Sequence, residues 1–424
     1  MRAEVIAIGD ELTSGERLDT NSRWLSQRLV ENGIPVLYHS TVGDDSAACK
    51  EVIERAIARA EIVLLTGGLG PTADDLTRDA IAVATGTSLQ IDESMLVEIE
   101  AMFRRRGRDM PERNRVQAMF PTGSRPIPNR HGTAPGIEMR VLRGDETASH
   151  LFALPGVPAE MKPMWQETVL ARLNEIAPQS GVIRHRQLKC FGVGESQLEA
   201  MLPDLIRRGR EPSVGITVHA ATITLRVTAR GRDAAECEAQ MAPTIATIRA
   251  CLGTLVFGED DDELHHATAR LLQQSQQTVA TVECASGGLV AEWYSEIDEE
   301  GVFFRGGEVR PRSDFARGES LAAASLAEFV EQLASEIRER RGADFGLAIG
   351  PLPEVDTATA AEADKVDEEA ASRERFYYAL ADRDGCQVYH GRALAHPAIR
   401  KELAGKQALD RLRRRLLGES SAEA

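Results

Sequence analysis

Residues 66–77 read TGGLGPTADDLT, placing three glycines within five positions (Thr66 to Gly70), then Asp74 and Asp75, with Asp79 one turn later. Glycine lets a ligand approach the main-chain N–H groups closely. Successive N–H groups on a strand-to-helix turn form an anion-binding nest, and the positive end of the helix adds to it. Carboxylates beside a phosphate repel it unless a cation lies between them. A divalent ion held by both carboxylate and phosphate oxygens resolves that conflict. The same aspartates would serve equally as caps for the helix that follows. Asp10 and Glu11, at a second strand end, favour the binding reading. Asp19 and Asn21 read either as helix caps or as substrate contacts. GTAPG (132–136) and LPGVP (154–158) are two further turn-rich strand ends in the same region, marking Gly132, Pro155 and Gly156.

The elements that must position these residues follow from local pattern. EVIA (4–7) is a short strand, and DTNSRWLSQRLVENG reads as a helix stopped by Gly33. IPVLYHS is a strand, DDSAACKEVIERAIARA an amphipathic helix, EIVLLTGG a buried strand, and LTRDAIAVATG a helix ending at Gly86. This alternation predicts a doubly wound α/β unit, a parallel sheet covered by helices on both faces. Ligands of such sheets sit beyond the carboxyl ends of the strands, where Gly9-Asp10-Glu11 and Thr66-Gly67-Gly68 lie. The unit extends to about residue 177. A small α+β module is expected over 178–258, with VGITVHAATITLRVTAR in antiparallel strands. A third, C-terminal α/β domain is expected over 259–418. PLPEVDTATAAEADKVDEEAASRE reads as an exposed loop, and SSAEA as a loose tail.

Composition narrows the classes. The 424 residues carry a formal net charge of −16, which opposes non-specific binding to nucleic acid or an anionic membrane. No run approaches the roughly 20 apolar residues of a membrane span. The N-terminal apolar run is broken by Asp10 and Glu11, unlike a signal peptide. Six scattered cysteines form no CxxC pair and signal neither a zinc site nor a disulfide framework. A cytoplasmic protein with reduced thiols is expected.

GDELTSGERLDTNSRWL, TGGLGPTADDLTRDAIA, NRHGTAPG and LPGVPAEM, in this order, resemble the N-terminal domain of the CinA (competence/damage-inducible) family. That domain is similar to the molybdopterin-binding domains of molybdenum-cofactor biosynthesis proteins. GVGESQLEAMLPDL and GEDDDELHHATARLL resemble the family's KH-like middle domain and the start of its last domain. The resemblance implies metal-dependent ADP-ribose pyrophosphatase activity, with Mg, Mn or Co as the divalent ion and potassium as a candidate second cation. It implies a small-molecule nucleotide substrate and a homodimer, with no membrane or nucleic-acid partner. Asp75 occupies the aspartate position that recurs in the related domains, and Asp79 sits where they carry an acid. Asp75 and Asp79 are thereby the expected metal ligands. Asp10, Glu11 and Asp75 are the expected catalytic acids. Gly67, Gly68 and Gly70 are the expected phosphate donors. Asp19, Asn21, Thr66, Thr72, Thr77, Gly132, Pro155 and Gly156 are expected to contact substrate. The alternative is a protein that binds molybdopterin or a nucleotide without cleaving it.

The last domain departs from its family. The resemblance implies a nicotinamide-nucleotide amidase with a Glu-Ser-Cys-Thr-Gly-Gly turn whose serine is the nucleophile. Here the turn reads Glu283-Cys284-Ala285-Ser286-Gly287-Gly288. The family's tyrosine and lysine are replaced by Pro311 and Ala316, and arginines nearby cannot act as bases. The Gly-Ile-Ala-Gly-Pro-Gly-Gly loop gives way to IGPLPEVD. Glu283, Cys284 and Ser286 therefore mark a degenerate amidase site, and loss of that activity is expected.

Overall fold

The structure, a computed structural model, describes all residues except 145–146, 178–180, 203, 208, 285, 312–322, 354–374, 393–398 and 420–424. The chain divides into two compact units, Met1–Arg184 with Ala229–Gln240, and His185–Thr228 with Met241–Ala424.

The first unit begins with β1 (Ala3–Ile8), a four-residue helix α1 (Asp10–Thr13), α2 (Thr20–Glu31), β2 (Val36–Val42), α3 (Ser46–Arg59) and β3 (Ile62–Thr66). Next come α4 (Thr77–Ala84), β4 (Leu89–Ile91), α5 (Glu93–Arg105), β5 (Met119–Pro121), β6 (Arg125–Ile127), β7 (Gly136–Leu142), β8 (Ala148–Leu154), α6 (Pro158–Met164) and α7 (Leu170–Ile176). Its main sheet runs β2-β1-β3-β8-β7-β6. The first four strands in that order are parallel, and β7 and β6 are antiparallel. The parallel sheet expected from the first strand–helix alternation is present, and the β7–β6 edge adds antiparallel strands to it. Only a short connection joins β7 to β8, too short for the crossover a parallel pair needs.

Both faces are covered, as the uninterrupted burial of β1 and β3 requires. Ile6, Ile8, Val63 and Leu65 pack with residues of α3, α4 and α5. Val5, Ile62 and Leu64 pack on the opposite face with Leu25, Leu29, Met161 and Trp165. Alternate residues of each strand thus serve opposite layers. Asp19 caps α2 by accepting from Ser22 N at 2.8 Å, and Asp45 caps α3 likewise from Ala48 N. The small β4–β5 ribbon and α5 were not anticipated.

The remaining chain forms β9 (Val182–Cys190), α8 (Glu195–Met201), β10 (Ser213–His219), β11 (Thr222–Gly231), α9 (Ala234–Leu252) and β12 (Val256–Glu259), giving a sheet ordered β10-β11-β9-β12. It continues with α10 (Leu264–Ser275), β13 (Val279–Glu283), α11 (Leu289–Ile297), β14 (Phe304–Val309), α12 (Ala323–Arg341), β15 (Phe345–Ile349), β16 (Arg375–Asp382), β17 (Gly385–Arg392) and α13 (Arg400–Leu416). The order in this last sheet is β14-β13-β15-β16-β17. Most of the acidic, Ala-rich segment read as a loop, and the C-terminal tail, lie outside the described residues. No helix among the described residues is long and apolar enough to cross a membrane.

Candidate functional site

A cavity of about 870 Å³ lies at the carboxyl ends of β1, β3 and β8. The glycine turn after β3 forms part of its wall. Gly67 and Gly68 have φ of +106° and +62°, which bulkier residues resist. This backbone turns four consecutive carbonyls toward the start of α4. Thr77 Oγ1 donates to Gly67 O at 2.7 Å, and Thr77 N donates to Gly68 O at 3.1 Å. Arg78 donates to Leu69 O at 2.6 Å and to Gly70 O at 3.2 Å. In a trans peptide the carbonyl and the following N–H point in opposite directions. The N–H groups of Gly68 and Leu69 are therefore turned away from α4, and both residues line the cavity. Neither N–H has a protein acceptor among the described residues.

The other two glycines behave differently from expectation. Gly67 N donates to Leu154 O at 3.1 Å, and Gly70 N donates to Asp75 Oδ1 at 2.7 Å. Both N–H groups are engaged within the protein, so Gly68 and Leu69 replace Gly67 and Gly70 as the available donors. A side chain at Gly70 would meet the Asp75 carboxylate. That glycine makes room for an aspartate of its own loop, and the sequence reading had reserved the space for a ligand.

Asp75 lines the cavity, but its oxygens face the loop. Oδ2 accepts from Thr72 N at 2.8 Å and from Thr72 Oγ1 at 2.5 Å. It is a strut of the turn, and it caps neither α4, whose N-cap is Leu76, nor an open coordination position. Asp79 is exposed on α4, outside the cavity wall. Thr77 is fully buried and acts behind the loop. Thr72, Gly132 and Asp10 also lie outside the wall.

The second strand end supplies the acids. Asp10 N donates to Asp44 Oδ2 at 3.0 Å, and Asp44 N donates to Asp10 Oδ1 at 2.9 Å. Glu11 and Asp44 face the cavity, with Asp74 on its rim. Burial pushes the Asp44 carboxyl above its usual range, as do the nearby charges of Asp10, Glu11 and Asp74, while the hydrogen bond from Asp10 N opposes them. Asp44 follows β2 in TVGDD, a strand end of the same kind as the others, and that signal was available in the sequence.

The third side is the loop after β8. Thr66, Pro155 and Gly156 line the cavity with Asp19 and Asn21. Asn21 donates through Nδ2 to Gly156 O at 2.7 Å and to Thr66 Oγ1 at 3.1 Å, so it joins α2 to both loops. A Cβ at Gly156 would stand 3.4 Å from Gly67 Cα, so the two loops touch backbone to backbone. Gly156 N also has no protein acceptor among the described residues. Glu160 completes this wall, its Oε2 accepting from Asn129 Nδ2 at 2.7 Å. Glu160 lies in LPGVPAEM and Arg17, the one basic residue lining the cavity among the described residues, in GDELTSGERLDTNSRWL, but these motifs single out neither as a site residue.

The family model Probable molybdopterin binding domain matches residues 4–175, and Damage-inducible protein CinA KH domain matches 185–258. A competence-damage inducible protein of Symbiobacterium thermophilum is 36% identical over 371 residues, covering 85% of each chain. The chain belongs to the CinA-like family. A CinA-like protein of Frankia casuarinae is 38% identical over 380 residues, covering 84% of this chain and 86% of that one. The solved structure of CinA from Thermoplasma acidophilum, described as of unknown function, is 32% identical with a TM-score of 0.36, covering 40% of this chain and 96% of that chain. The motif resemblance and the multi-domain α/β architecture agree with this membership.

The CinA-like C-terminal region contains the second glycine turn. Glu283 is fully buried at the end of β13. Its Oε2 accepts from Ser286 Oγ at 2.5 Å and Val290 N at 3.1 Å, and its Oε1 from Ala291 N at 2.8 Å. Glu283 thereby satisfies the first amides of α11. Cys284 is buried among Val282, Val330, Leu333 and Ala348, and its N–H donates to Ile349 O at 2.9 Å. Pro311 is described, whereas Ala285, Ala316, and the residues from 354 on in IGPLPEVD lie outside the described residues.

Proposed function

We propose that this CinA-like protein hydrolyses the diphosphate of ADP-ribose or a related nucleotide in the cavity of its first unit. The observation that carries this reading is the set of unpaired main-chain N–H groups of Gly68, Leu69 and Gly156 on loops that meet at the sheet end. A bridging diphosphate is the anion that fits two adjoining amide-lined loops, and the volume is in the range of nucleotide-sized sites.

The carboxylates fit a divalent ion brought with the substrate. Among the described residues no group of three or more His, Cys, Asp or Glu side chains could hold a metal ion. Crowding of Asp44 by Asp10, Glu11 and Asp74 is the repulsion a cation relieves. Glu11 and Asp74 would hold it together with phosphate oxygens, whereas Asp75 is engaged with its own loop and Asp79 lies outside the cavity wall. A divalent ion held there would supply neutralisation of phosphate oxygens and a more acidic water. Asp44, whose carboxyl burial and neighbouring acids hold above its usual range, would accept the proton of the attacking water. The water oxygen bonds to one phosphorus, the P–O–P bridge breaks, and the proton passes to solvent. Asn21 and Gly156 hold the loops in register around the reacting group.

Incubation with ADP-ribose and Mg²⁺, Mn²⁺ or Co²⁺ is expected to yield AMP and ribose 5-phosphate, with Asp44→Asn lowering turnover by about 100-fold or more. Saturable binding without products would favour the second reading, non-hydrolytic binding of a nucleotide or pterin, which the molybdopterin-domain match supports. For the C-terminal region we propose that amidase activity is lost. The Cys284 side chain serves as apolar filler, so release of ammonia from nicotinamide mononucleotide is expected to be absent.

A further inference from the structure

Gln117 stands in the short helical stretch Glu112–Ala118 that leads into β5, and it is 1% exposed. One end of its carboxamide is accounted for, since Oε1 accepts from the buried Asn114 Nδ2 at 2.9 Å. The other end is not. Nε2 has no acceptor among the described residues. Nor is it one of the fully enclosed polar atoms that lack a partner, and Gln117 lines the cavity. The nitrogen therefore keeps its narrow opening on the cavity side. A buried carboxamide held for packing alone has both ends satisfied. This one is fixed by its oxygen and offers its N–H groups to a hollow.

Its place fits the anion side of that hollow. The adjoining Ala118 is buried in the core layer that also holds Leu69, Ala80 and Ile81, and β5 packs against α4. Gln117 thus belongs to the α4 side of the sheet, as the glycine loop does. A donor nitrogen repels a cation, which separates it from the acids that would hold one. Those acids also account for the residue type. Glu11, Asp44, Asp74 and Glu160 line the cavity against the single base Arg17. A lysine or arginine at position 117 would be drawn into ion pairs with them, whereas a neutral amide held by Asn114 keeps its N–H free. We propose that Gln117 is a ligand-binding residue whose Nε2 donates to a phosphoryl oxygen of a nucleoside diphosphate. It adds a side-chain donor to the open main-chain donors of Gly68 and Leu69. This rests on the diphosphate reading and deepens it.

The test uses the full chain with α,β-methylene-ADP, whose P–C–P bridge resists hydrolysis, and with adenosine, each with MgCl₂ present. Affinities are measured by calorimetry for wild type, Gln117→Met and Gln117→Glu. Gln117→Met removes the donor and is expected to weaken α,β-methylene-ADP by about tenfold while moving adenosine less than about twofold. Gln117→Glu keeps an acceptor for Asn114 but sets a carboxylate where the donor stood, and is expected to weaken α,β-methylene-ADP by about 30-fold or more, again sparing adenosine. Adenosine binding too weak to measure in wild type assigns the affinity to the phosphates, and the nucleotide then decides. If Gln117→Met does not fold, Gln117→Glu at alkaline pH decides by the same two ligands. Equal weakening of both ligands places Gln117 against the nucleoside or in the packing of the wall, and overturns the inference. Unchanged affinity for α,β-methylene-ADP in Gln117→Met overturns it whatever Gln117→Glu does, while the diphosphate reading survives. Failure of wild type to bind α,β-methylene-ADP removes that reading and the inference with it.

Discussion

The two glycine turns of this chain use the same local grammar and reach opposite ends. Each follows a buried strand, carries a pair of glycines and a carboxylate, and leads into a helix. In the first, the carboxylate comes after the glycines and binds its own loop, so Asp75 takes Gly70 N and Thr72 N. The Gly68 and Leu69 amides remain open. In the second, the carboxylate comes before the glycines and reaches forward, so Glu283 takes Val290 N and Ala291 N. The helix terminus that could have received a ligand is occupied by the protein itself. Where the acid stands in the motif decides whether the turn binds something or only holds itself together.

The largest effect should appear in the closed turn. Glu283→Ala leaves the buried Val290 amide, the half-buried Ala291 amide and the Ser286 hydroxyl without acceptors, a loss of about 3 kcal/mol or more at about 1–3 kcal/mol per unsatisfied group. Urea denaturation of the transition that reports this region should show it, with ADP-ribose turnover by the folded protein unchanged. A normal midpoint would mean that the turn is not held by Glu283, and the contrast would collapse.

A smaller effect is expected in the open turn. Thr77→Val keeps shape and the Thr77 N–H bond but removes the donor to Gly67 O. The Gly68 amide loses its fixed direction. Diphosphate affinity should fall by about tenfold, roughly 1.4 kcal/mol, with stability reduced by about 1 kcal/mol. Titration of α,β-methylene-ADP into the variant checks this, and unchanged affinity would show that the loop needs no aiming.

The smallest effect concerns pH. Asp44 has a raised folded-state pKa, so the folded protein holds that proton more tightly than the unfolded chain does. Its ionisation therefore costs stability as pH rises above the unfolded value near 3.8. Asp44→Asn removes this cost. The variant should gain a little stability over wild type at neutral pH, with the difference closing as pH falls below that range. Thermal melts across pH would expose the opposite trend if Asp44 were instead stabilised as an anion.

Much of the frame was legible because it depends on local pattern. Continuous apolar runs gave β1 and β3, and Asp19 and Gly33 marked the ends of α2. The sites beyond strand ends followed from topology. The allocation of hydrogen bonds inside the turn was not legible. Gly67, Gly68 and Gly70 look equivalent in sequence, yet only Gly68 keeps its N–H free, because Leu154 and Asp75 come from outside the glycine run. Arg78 reads as a surface residue of an amphipathic helix until its burial is known. Glu160 lines the cavity next to the 155–158 loop, but its partner Asn129 lies 31 positions earlier, a pairing that no window of sequence contains. The antiparallel edge β6–β7 was missed because its signal is the brevity of a connection.

The contact between Gly156 and Gly67 has a thermodynamic consequence. With main chain resting on main chain and Asn21 bonded to both segments, a displacement of either loop must disturb contacts with the other. An incoming molecule then meets a receptor whose disorder was removed when the domain folded, so association incurs little extra entropy penalty there. Occupancy of one segment should also quiet the other, and slowed amide hydrogen exchange at Leu154, Gly156 and Val157 should accompany any ligand that touches only residues 67–69.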